Sequence, residues 1–459
     1  MKKLFIACIS LMIALLTVQA FAATDISAIV FDDESSTPAI SVSGYPRFET
    51  LDDGTLLLFN AGVVRKSTDN GATWKRIAIT KNSAGTAVSA TGTTHEISRE
   101  NWQGFVLDDG TVMVSYRART KNYDSGEFYT SIRVMTSTDN AETFTNEVII
   151  AEQTTNSFHG FWEPFMIQPD ENTVLLFYSD DLNVNKPSSQ QNIVYHEYNI
   201  KNNTWSEAFV AIDGVSRNSR DGMPVITSLR YGGYAMVIET HDYFNRFYNG
   251  TLGSSVFVIG LSLSKDGKTW SEPIPVVAPS NIIAGKRCAA PYITTLPDGR
   301  VIISYMEDES YTGTTDVSES ARKCVYGAVI SDDVLTVDTV LTPTTGGAAD
   351  GFTTLPDLFD DPESAYMIWN TVYCSGNYVY FAGSAGYNTG AGSSSIRIRR
   401  ADVSATIDFD LDDNGTTNLF DVLLTFKNFF MGNNYCIDFN NDGKVDIKDV
   451  AIIVKRSLG

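Results

Sequence analysis

Six segments of the chain share one pattern, in which an apolar run meets a tight turn and a second run of β-forming residues follows. The turns carry Asp-Gly, Gly-Gly or similar pairs, and glycine supplies the positive φ angles that tight hairpins need. Hairpins that recur along the whole chain predict an all-β protein built from repeats. The predicted hairpins are Leu51–Phe59, Leu107–Ser115, Gln168–Phe177, Leu229–Val237, Leu296–Ser304 and Tyr373–Tyr380.

A second motif alternates with the hairpins, a Ser-x-Asp turn that ends on Trp or Phe. It occurs at Ser67–Trp74, Ser137–Phe144 and Ser264–Trp270, with a weaker copy at Asn202–Trp205. We expect each Asp carboxylate to accept backbone N–H bonds while the aromatic ring packs between strands. These Asp boxes make the chain resemble the sialidase superfamily. Four strands in each of six repeats predict a six-bladed β-propeller over residues 23–404.

The C-terminal segment, residues 405–459, contains two loops rich in carboxylate and amide side chains, 28 residues apart. Each loop has oxygen donors at positions 1, 3, 5, 9 and 12 and a glycine at position 6, a spacing that suits Ca²⁺. An apolar helix is predicted after each loop. The candidate ligands are Asp410, Asp412, Asn414, Asn418 and Asp421 in the first loop, and Asp438, Asn440, Asp442, Asp446 and Asp449 in the second.

Two tandem loop–helix copies of this kind resemble a dockerin. The resemblance implies a small all-α domain that holds two Ca²⁺ ions and binds a cohesin domain of a scaffoldin, as in a cellulosome. The alternative is a solvated acidic tail, which would not need ten donors at matching positions in two copies.

The N-terminal residues 1–22 have the pattern of a secretory signal peptide: two lysines, an apolar run over Leu4–Leu16, and small residues at Ala20 and Ala22. We therefore expect a secreted, extracellular protein with a monomeric propeller. The chain has 55 acidic and 34 basic residues, a formal charge of −21. This charge disfavours nucleic acids and anionic membranes as partners. The disulfide state stays open for Cys288, Cys324, Cys374 and Cys436.

In a propeller, the first strand of each blade starts near the axis on one face, and the second strand ends there. Two of the carboxylates predicted on this face stand out. Glu163 lies among aromatic residues, which should raise its pKa, and Glu239 ends the apolar strand Tyr234–His241. Paired carboxylates with different pKa values are typical of glycosidases. The substrate-binding residues that we expect around them are Arg47, Trp102, His159, Trp162, Arg220, Met223, His241 and Arg287.

A closer resemblance is carried by four segments, Gly160–Phe165, Arg220–Val225, Tyr45–Arg47 and Ala290–Pro291. They resemble glycoside hydrolase family 93, over most of residues 40–400. The resemblance implies a retaining exo-α-1,5-L-arabinanase that releases arabinobiose from linear arabinan and needs no cofactor for catalysis. It implies Glu163 and Glu239 as the two catalytic glutamates, and from the position of Glu239 we expect it to be the nucleophile and Glu163 the general acid/base. A retaining site predicts carboxyl groups about 5–5.5 Å apart.

One alternative is a sialidase-type exo-glycosidase. Such an enzyme needs three arginines for the substrate carboxylate, and Arg47, Arg220 and Arg287 could serve. It also needs an acid in the first loop between blades, yet no Asp occurs between Asp69 and Asp108. This departure counts against sialic acid.

The other alternative is a non-catalytic carbohydrate-binding propeller. It would stack sugars on Trp102, Trp162 and Trp369. It would not need two converging carboxylates, so replacing Glu163 with glutamine would leave its function nearly intact.

Overall fold

The computed structural model describes residues 29–32, 39–41, 44–79, 84–120, 128–155, 159–181, 190–241, 257–280, 287–308, 324–356, 358–359, 367–385, 395–403, 421–425 and 447–457. The predicted signal peptide, Cys436 and eight of the ten predicted Ca²⁺ ligands lie outside the described residues. The two ligands within them are Asp421 and Asp449.

The described strands follow one another along the chain in short antiparallel runs. In chain order they are β1 (Val30–Phe31), β2 (Arg47–Thr50), β3 (Leu56–Asn60), β4 (Val63–Ser67), β5 (Lys75–Ala78), β6 (Ala84–Val88), β7 (Thr94–Val106), β8 (Val112–Thr120), β9 (Phe128–Ser137), β10 (Thr145–Thr155), β11 (Phe161–Asp170), β12 (Thr173–Asp180), β13 (Asn192–Asn199), β14 (Thr204–Trp205), β15 (Phe209–Ile212), β16 (Arg220–Ser228), β17 (Tyr234–His241), β18 (Phe257–Ser264), β19 (Ile274–Ala278), β20 (Cys288–Thr295), β21 (Val301–Glu307), β22 (Val325–Ser331), β23 (Gly347–Ala348), β24 (Phe352–Thr354), β25 (Met367–Ser375), β26 (Tyr378–Ala385) and β27 (Ser395–Asp402).

These strands form six antiparallel sheets, which are the blades of a β-propeller. Blade 1 contains β2–β5, blade 2 β6–β10, blade 3 β11–β15, blade 4 β16–β19 with β23, blade 5 β20–β22 with β24, and blade 6 β25–β27 with β1. Each predicted hairpin joins the innermost strand of a blade to the next strand. In the first turn Gly54 has a φ of 83°, which glycine adopts without strain. The prediction of a six-bladed propeller is confirmed.

The ring closes through the N-terminal strand. β1 pairs with β27, so blade 6 takes its outermost strand from the start of the described chain. The N–H of Asp32 donates to the carbonyl of Arg400 at 2.9 Å, and Nε of Arg400 donates to the carboxylate of Asp32 at 2.6 Å. Both ends of the propeller chain are therefore held in one sheet, which protects the edge of the last blade.

Each blade packs apolar side chains against both of its neighbours, which explains why its strands are apolar on both faces. β3 is buried at all five positions, and β8 at its first seven. Gly104 in blade 2 shows how close the blades approach, because a Cβ atom there would lie 2.0 Å from the ring of Phe59 in blade 1. Only a glycine fits at this position without movement of its neighbours.

The Asp boxes form the turns expected of them. In the first box, Asp69 Oδ1 accepts the N–H of Thr73 at 2.8 Å, and Trp74 packs against Phe48, with 6.2 Å between ring centres. The other two complete boxes are closed by the same kind of bond. The expectation of carboxylate-closed turns with inward aromatic rings is confirmed.

The innermost strand of blade 2 is longer than its counterparts. β7 begins at Thr94, six residues before an irregularity in its pairing with β8, whereas β11, β16, β20 and β25 begin one or two residues before theirs. Four or five additional residues at 3.3 Å each extend the strand by roughly 15 Å. We call residues 94–100, with their partners in β8, the wall.

The described residues of the C-terminal segment form two short helices, α1 over 421–425 and α2 (Ile447–Ser457). In the part of the chain that the structure describes, no helix has the length and apolar character needed to cross a bilayer. Cys374 carries a free thiol.

Candidate active site

Five blades carry a bulge at the same place, near the start of the innermost strand. In each, the pairing with the next strand skips two residues, and the first of the two has a positive φ. Residues other than glycine are strained in this region, and strained residues cluster at functional sites. The bulges therefore mark the face that carries the site. The residues are Asn101 (φ 55°), Glu163 (38°), Met223 (53°), Ala290 (50°) and Trp369 (54°).

Proline explains how the sequence encodes three of these bulges. The second skipped residue is Pro164 in blade 3, Pro224 in blade 4 and Pro291 in blade 5. Proline has no N–H to donate, so it fits where the pairing is interrupted. The Glu-Pro sequence thus places Glu163 in a bulge of an innermost strand.

Glu163 lies in a cleft of about 280 Å³, part of it open to solvent. Burial of the carboxyl raises its pKa to about 7. The positive charge of Arg117 opposes this shift, as do Arg220 and Arg47, while the negative charge of Glu239 adds to it. A carboxylic acid with this pKa can both donate and accept a proton near neutral pH.

Glu239 is the second carboxylate at this face, and two donors hold it. Its Oε1 accepts from Arg220 Nη1 at 3.1 Å, and its Oε2 accepts from the backbone N–H of Ala290, also at 3.1 Å. The side chain is only 8% exposed. Opposite Glu239 on β16 lies Gly222, where a Cβ atom would approach Oε1 to 3.4 Å. Both donors stabilise a negative charge on Glu239.

A charged network links the wall to Glu163. The guanidinium of Arg117 lies 4.2 Å from the centre of the Trp162 ring and pairs with Glu100. Arg119 donates to both oxygens of Glu100, at 2.9 and 3.0 Å. Burial would raise the pKa of Glu100, but the two arginines outweigh it and lower the pKa to about 2. Both arginines also act electrostatically on Glu163.

Asp181 anchors the segment that carries Glu163. Its carboxylate accepts the N–H of Gly160 and lies 3.6 Å from Nδ1 of His159. Burial raises the pKa of Asp181. The residues just before Glu163 are therefore held in place by one buried acid.

Arg47 lines the cleft beside Glu163. Its Nη1 donates to the carbonyls of Pro46 at 2.7 Å and Asn370 at 3.3 Å, and its guanidinium lies 4.8 Å from the centre of the Tyr292 ring. Burial lowers the pKa of Arg47. The structure thus brings together Arg47, Trp162, Glu163, Arg220 and Glu239, as expected for one site.

The three arginines considered for a substrate carboxylate have different partners. Arg220 is paired with Glu239, and Arg287 donates from Nε to Asp308 at 3.1 Å. Two of the three are therefore already neutralised by an acid, which disfavours a sialidase-like arginine triad.

Other residues expected at the site lie in different settings. Met223 lines the cleft from the bulge of blade 4. Trp102 is only 2% exposed and stacks on Tyr116 at 4.4 Å, so it packs inside blade 2 and offers no face to a sugar. His241 ends β17, but its side chain lies outside the described residues.

Two cleft residues, Asn101 and Gln103, are not predicted from the sequence, which favours the neighbouring Trp102 as the sugar contact. The bulge reverses that expectation, since Asn101 lines the cleft and Trp102 packs into the blade. The strand pairing makes Asn101 the blade 2 counterpart of Glu163; blade 2 lacks the proline that marks the bulge of blade 3 in the sequence.

Solved structures with this fold are known. A mutant of an α-L-arabinofuranosidase from Fusarium graminearum, in complex with an iminosugar inhibitor, is 18% identical over 83% of this chain and 98% of its own, with a TM-score of 0.53. An α-L-arabinanase from Penicillium chrysogenum, complexed with arabinobiose, is 19% identical over 81% of this chain and 96% of its own, with a TM-score of 0.52.

A third structure, the family 93 α-L-arabinofuranosidase of Fusarium graminearum with arabinobiose, is 18% identical over 81% of this chain and 96% of its own, with a TM-score of 0.51. At these identities the likeness shows a shared fold. No protein-family model matches the chain, and no curated protein does.

Proposed function

We propose that this protein is a secreted glycoside hydrolase, a retaining exo-α-1,5-L-arabinanase that releases arabinobiose from linear arabinan. The observation that carries the proposal is the pair Glu163 and Glu239, two carboxyls on the same face of the propeller in contrasting electrostatic environments. The arabinobiose complexes of proteins with the same fold support the substrate class.

Glu163 is the proposed general acid/base. With a pKa of about 7, it carries a proton in much of the protein at neutral pH. It donates this proton to the glycosidic oxygen while the bond from that oxygen to the anomeric carbon breaks. After the leaving sugar departs, the Glu163 carboxylate takes a proton from the water that attacks the anomeric carbon.

Glu239 is the proposed nucleophile. Its carboxylate attacks the anomeric carbon and forms a glycosyl ester, which the water then cleaves to free Glu239 again. Arg220 and the Ala290 N–H each hold one carboxylate oxygen, so the group is oriented before substrate arrives. Arg47, Trp162 and Met223 are the proposed sugar contacts around it.

Product analysis on debranched linear arabinan tests this proposal. We expect arabinobiose from the wild type and at least about a thousandfold less from Glu163→Gln and from Glu239→Gln, because each loses an acid or nucleophile. Glu197→Gln is the control, at a glutamate on β13 that pairs with Lys268 and does not line the cleft. Its activity should equal that of the wild type.

Two outcomes would contradict the assignment. Arabinose or longer oligosaccharides as the first product would contradict the release of the disaccharide. Sugar binding without any product, equal in wild type and Glu163→Gln, would favour the non-catalytic carbohydrate-binding alternative.

For residues 405–459, we propose a dockerin that binds two Ca²⁺ ions and a cohesin. Asp421 and Asp449, the last donors of the two predicted loops, are fully buried, and each is followed by a buried valine. The burial pattern of 421–425 recurs at 449–453, which fits two copies of one loop–helix unit. Buried carboxylates suit a divalent cation, and Ca²⁺ would supply the positive charge that holds each loop to its helix.

Calcium titration calorimetry tests this second proposal. We expect two ions per chain, with one site lost in Asp421→Asn and the other in Asp449→Asn. Asp338→Asn, which changes an exposed aspartate paired with Lys265, is the control and should bind two. A stoichiometry of zero in the wild type would refute the dockerin proposal without affecting the arabinanase.

A further inference from the structure

Two carbonyl oxygens at the cleft, Oδ1 of Asn101 and Oε1 of Gln103, have no hydrogen-bond partner among the described residues. Both side chains line the cleft together with Glu163, and only 8% and 2% of their surfaces are exposed. A buried acceptor without a donor costs about 1–3 kcal/mol. Two such atoms in one cleft point to a ligand that supplies the missing donors.

The hydrogen bond made by the amide nitrogen of Gln103 fixes the orientation of this side-chain amide. Nε2 donates to the carbonyl of Gly104 at 2.8 Å. Exchanging oxygen and nitrogen would bring two carbonyl oxygens together. Oε1 is therefore the acceptor that is left over.

Asn101 is held by the bulge of β7. Its φ of 55° is a strained value, although asparagine tolerates it better than most residues do. It occupies the same place in blade 2 that Glu163 occupies in blade 3. Strain and an unpaired acceptor at one residue lower the stability of the free protein, a combination that is typical of binding sites.

The chemistry of the two atoms selects the ligand. Carbonyl oxygens can only accept, so the ligand must donate. Carboxylate and phosphate groups would bring further acceptors toward the negative charge of Glu239, whereas the hydroxyl groups of a neutral sugar donate readily. We propose that Asn101 and Gln103 form a hydroxyl-binding subsite, in which each carbonyl oxygen accepts a hydrogen bond from the sugar unit next to Glu163.

This subsite rests on the proposed glycosidase function and adds to it the residues that select the hydroxyl pattern of the substrate. The variants that test it are Asn101→Gly, which keeps the positive φ, and Gln103→Met, which keeps the length of the side chain. Asn203→Gly is the matched control, an exposed left-handed asparagine in blade 3 with a φ of 52°.

The first measurement compares kcat/KM for linear arabinotriose and for analogues that each lack one hydroxyl. We expect the kcat/KM of the wild type to be at least about tenfold lower for the analogue that lacks a bound hydroxyl, because the carbonyl oxygen that accepts from this hydroxyl is then left unpaired. In the variant without that acceptor, the two substrates should differ by less than about twofold. Asn203→Gly should discriminate as the wild type does.

The second measurement is the thermal unfolding midpoint of the free proteins. Asn101→Gly removes the strain and the unpaired acceptor, so its midpoint should equal or exceed that of the wild type. A purely structural role for Asn101 predicts a lower midpoint, and that result would overturn the assignment. If the wild type cleaves the substrate and both variants discriminate between arabinotriose and its analogues as the wild type does, the subsite alone would be overturned. No turnover by the wild type would overturn the proposed function and the subsite with it.

Discussion

Replacing Glu49 with glutamine tests how strongly burial inside the ring controls a carboxyl group. Glu49 lies on β2, the innermost strand of blade 1, within electrostatic reach of Tyr292 and Tyr373. Burial raises its pKa from the ordinary 4.5 to about 8, although the backbone of Val106 in blade 2 donates a hydrogen bond to it. The proposed reaction does not use this group, so its effect on stability can be measured separately.

The size of the effect follows from proton linkage. In the unfolded chain Glu49 loses its proton near pH 4.5, whereas in the fold it keeps the proton until about pH 8. Its contribution to stability is therefore complete below pH 4.5 and is lost as the pH rises to 8. At about 1.4 kcal/mol per pH unit this interval corresponds to about 5 kcal/mol.

The assay is the free energy of unfolding in urea at pH values from 4.5 to 8.5, for the wild type and Glu49→Gln. Glutamine has the same shape and stays neutral, so the variant should gain several kcal/mol relative to the wild type between pH 5 and 8. Glu163, which also has a raised pKa, contributes equally to both curves. The control Glu142→Gln, at an exposed glutamate paired with Lys66, should show no such gain. Parallel curves for the wild type and Glu49→Gln would refute the reasoning.

Three further predictions can be checked directly. The kcat/KM on arabinan should fall as the pH rises above 7, because Glu163 then loses its proton. Glu100→Gln should shift this fall to lower pH, because Arg117 and Arg119 lose their shared counter-charge and their positive charges then lower the pKa of Glu163 further. An unshifted pH profile in Glu100→Gln would contradict the electrostatic link between Glu100, the two arginines and Glu163. Gly104→Ala should lower the free energy of unfolding by about 3 kcal/mol or more, because its Cβ meets the Phe59 ring. Adding Phe59→Leu to this variant should recover part of the lost stability. Equal stability of all these variants would contradict the close contact between Gly104 and Phe59. Calcium chelation should reduce the helical circular dichroism of the proposed dockerin, while the rate of arabinan cleavage stays within about twofold of its value with calcium. A parallel loss of cleavage would show that the propeller itself needs the ion.

The sequence identified the two candidate carboxylates more readily than the residues immediately around them. Glu163 and Glu239 could be placed on one face because strand starts and ends alternate regularly in a propeller. Trp102 and Asn101 could not be assigned correctly, because one bulge in β7 decides which of the two side chains lines the cleft and which packs into the blade. A bulge depends on the pairing with β8, and no periodicity within β7 reveals it.

By itself, the sequence determined the local structure: the hairpins, the carboxylate-closed Asp boxes and the apolar strands between them. Each of these depends on hydrogen bonds and φ angles within about ten residues, so a short segment contains the information. The tertiary structure alone decided the closure of blade 6 by β1 and the electrostatic state of the site. The pKa of Glu163 depends on its burial and on charges from Arg47, Arg117, Arg220 and Glu239. These groups come from three other blades, and only the closed ring brings them within electrostatic range of one another.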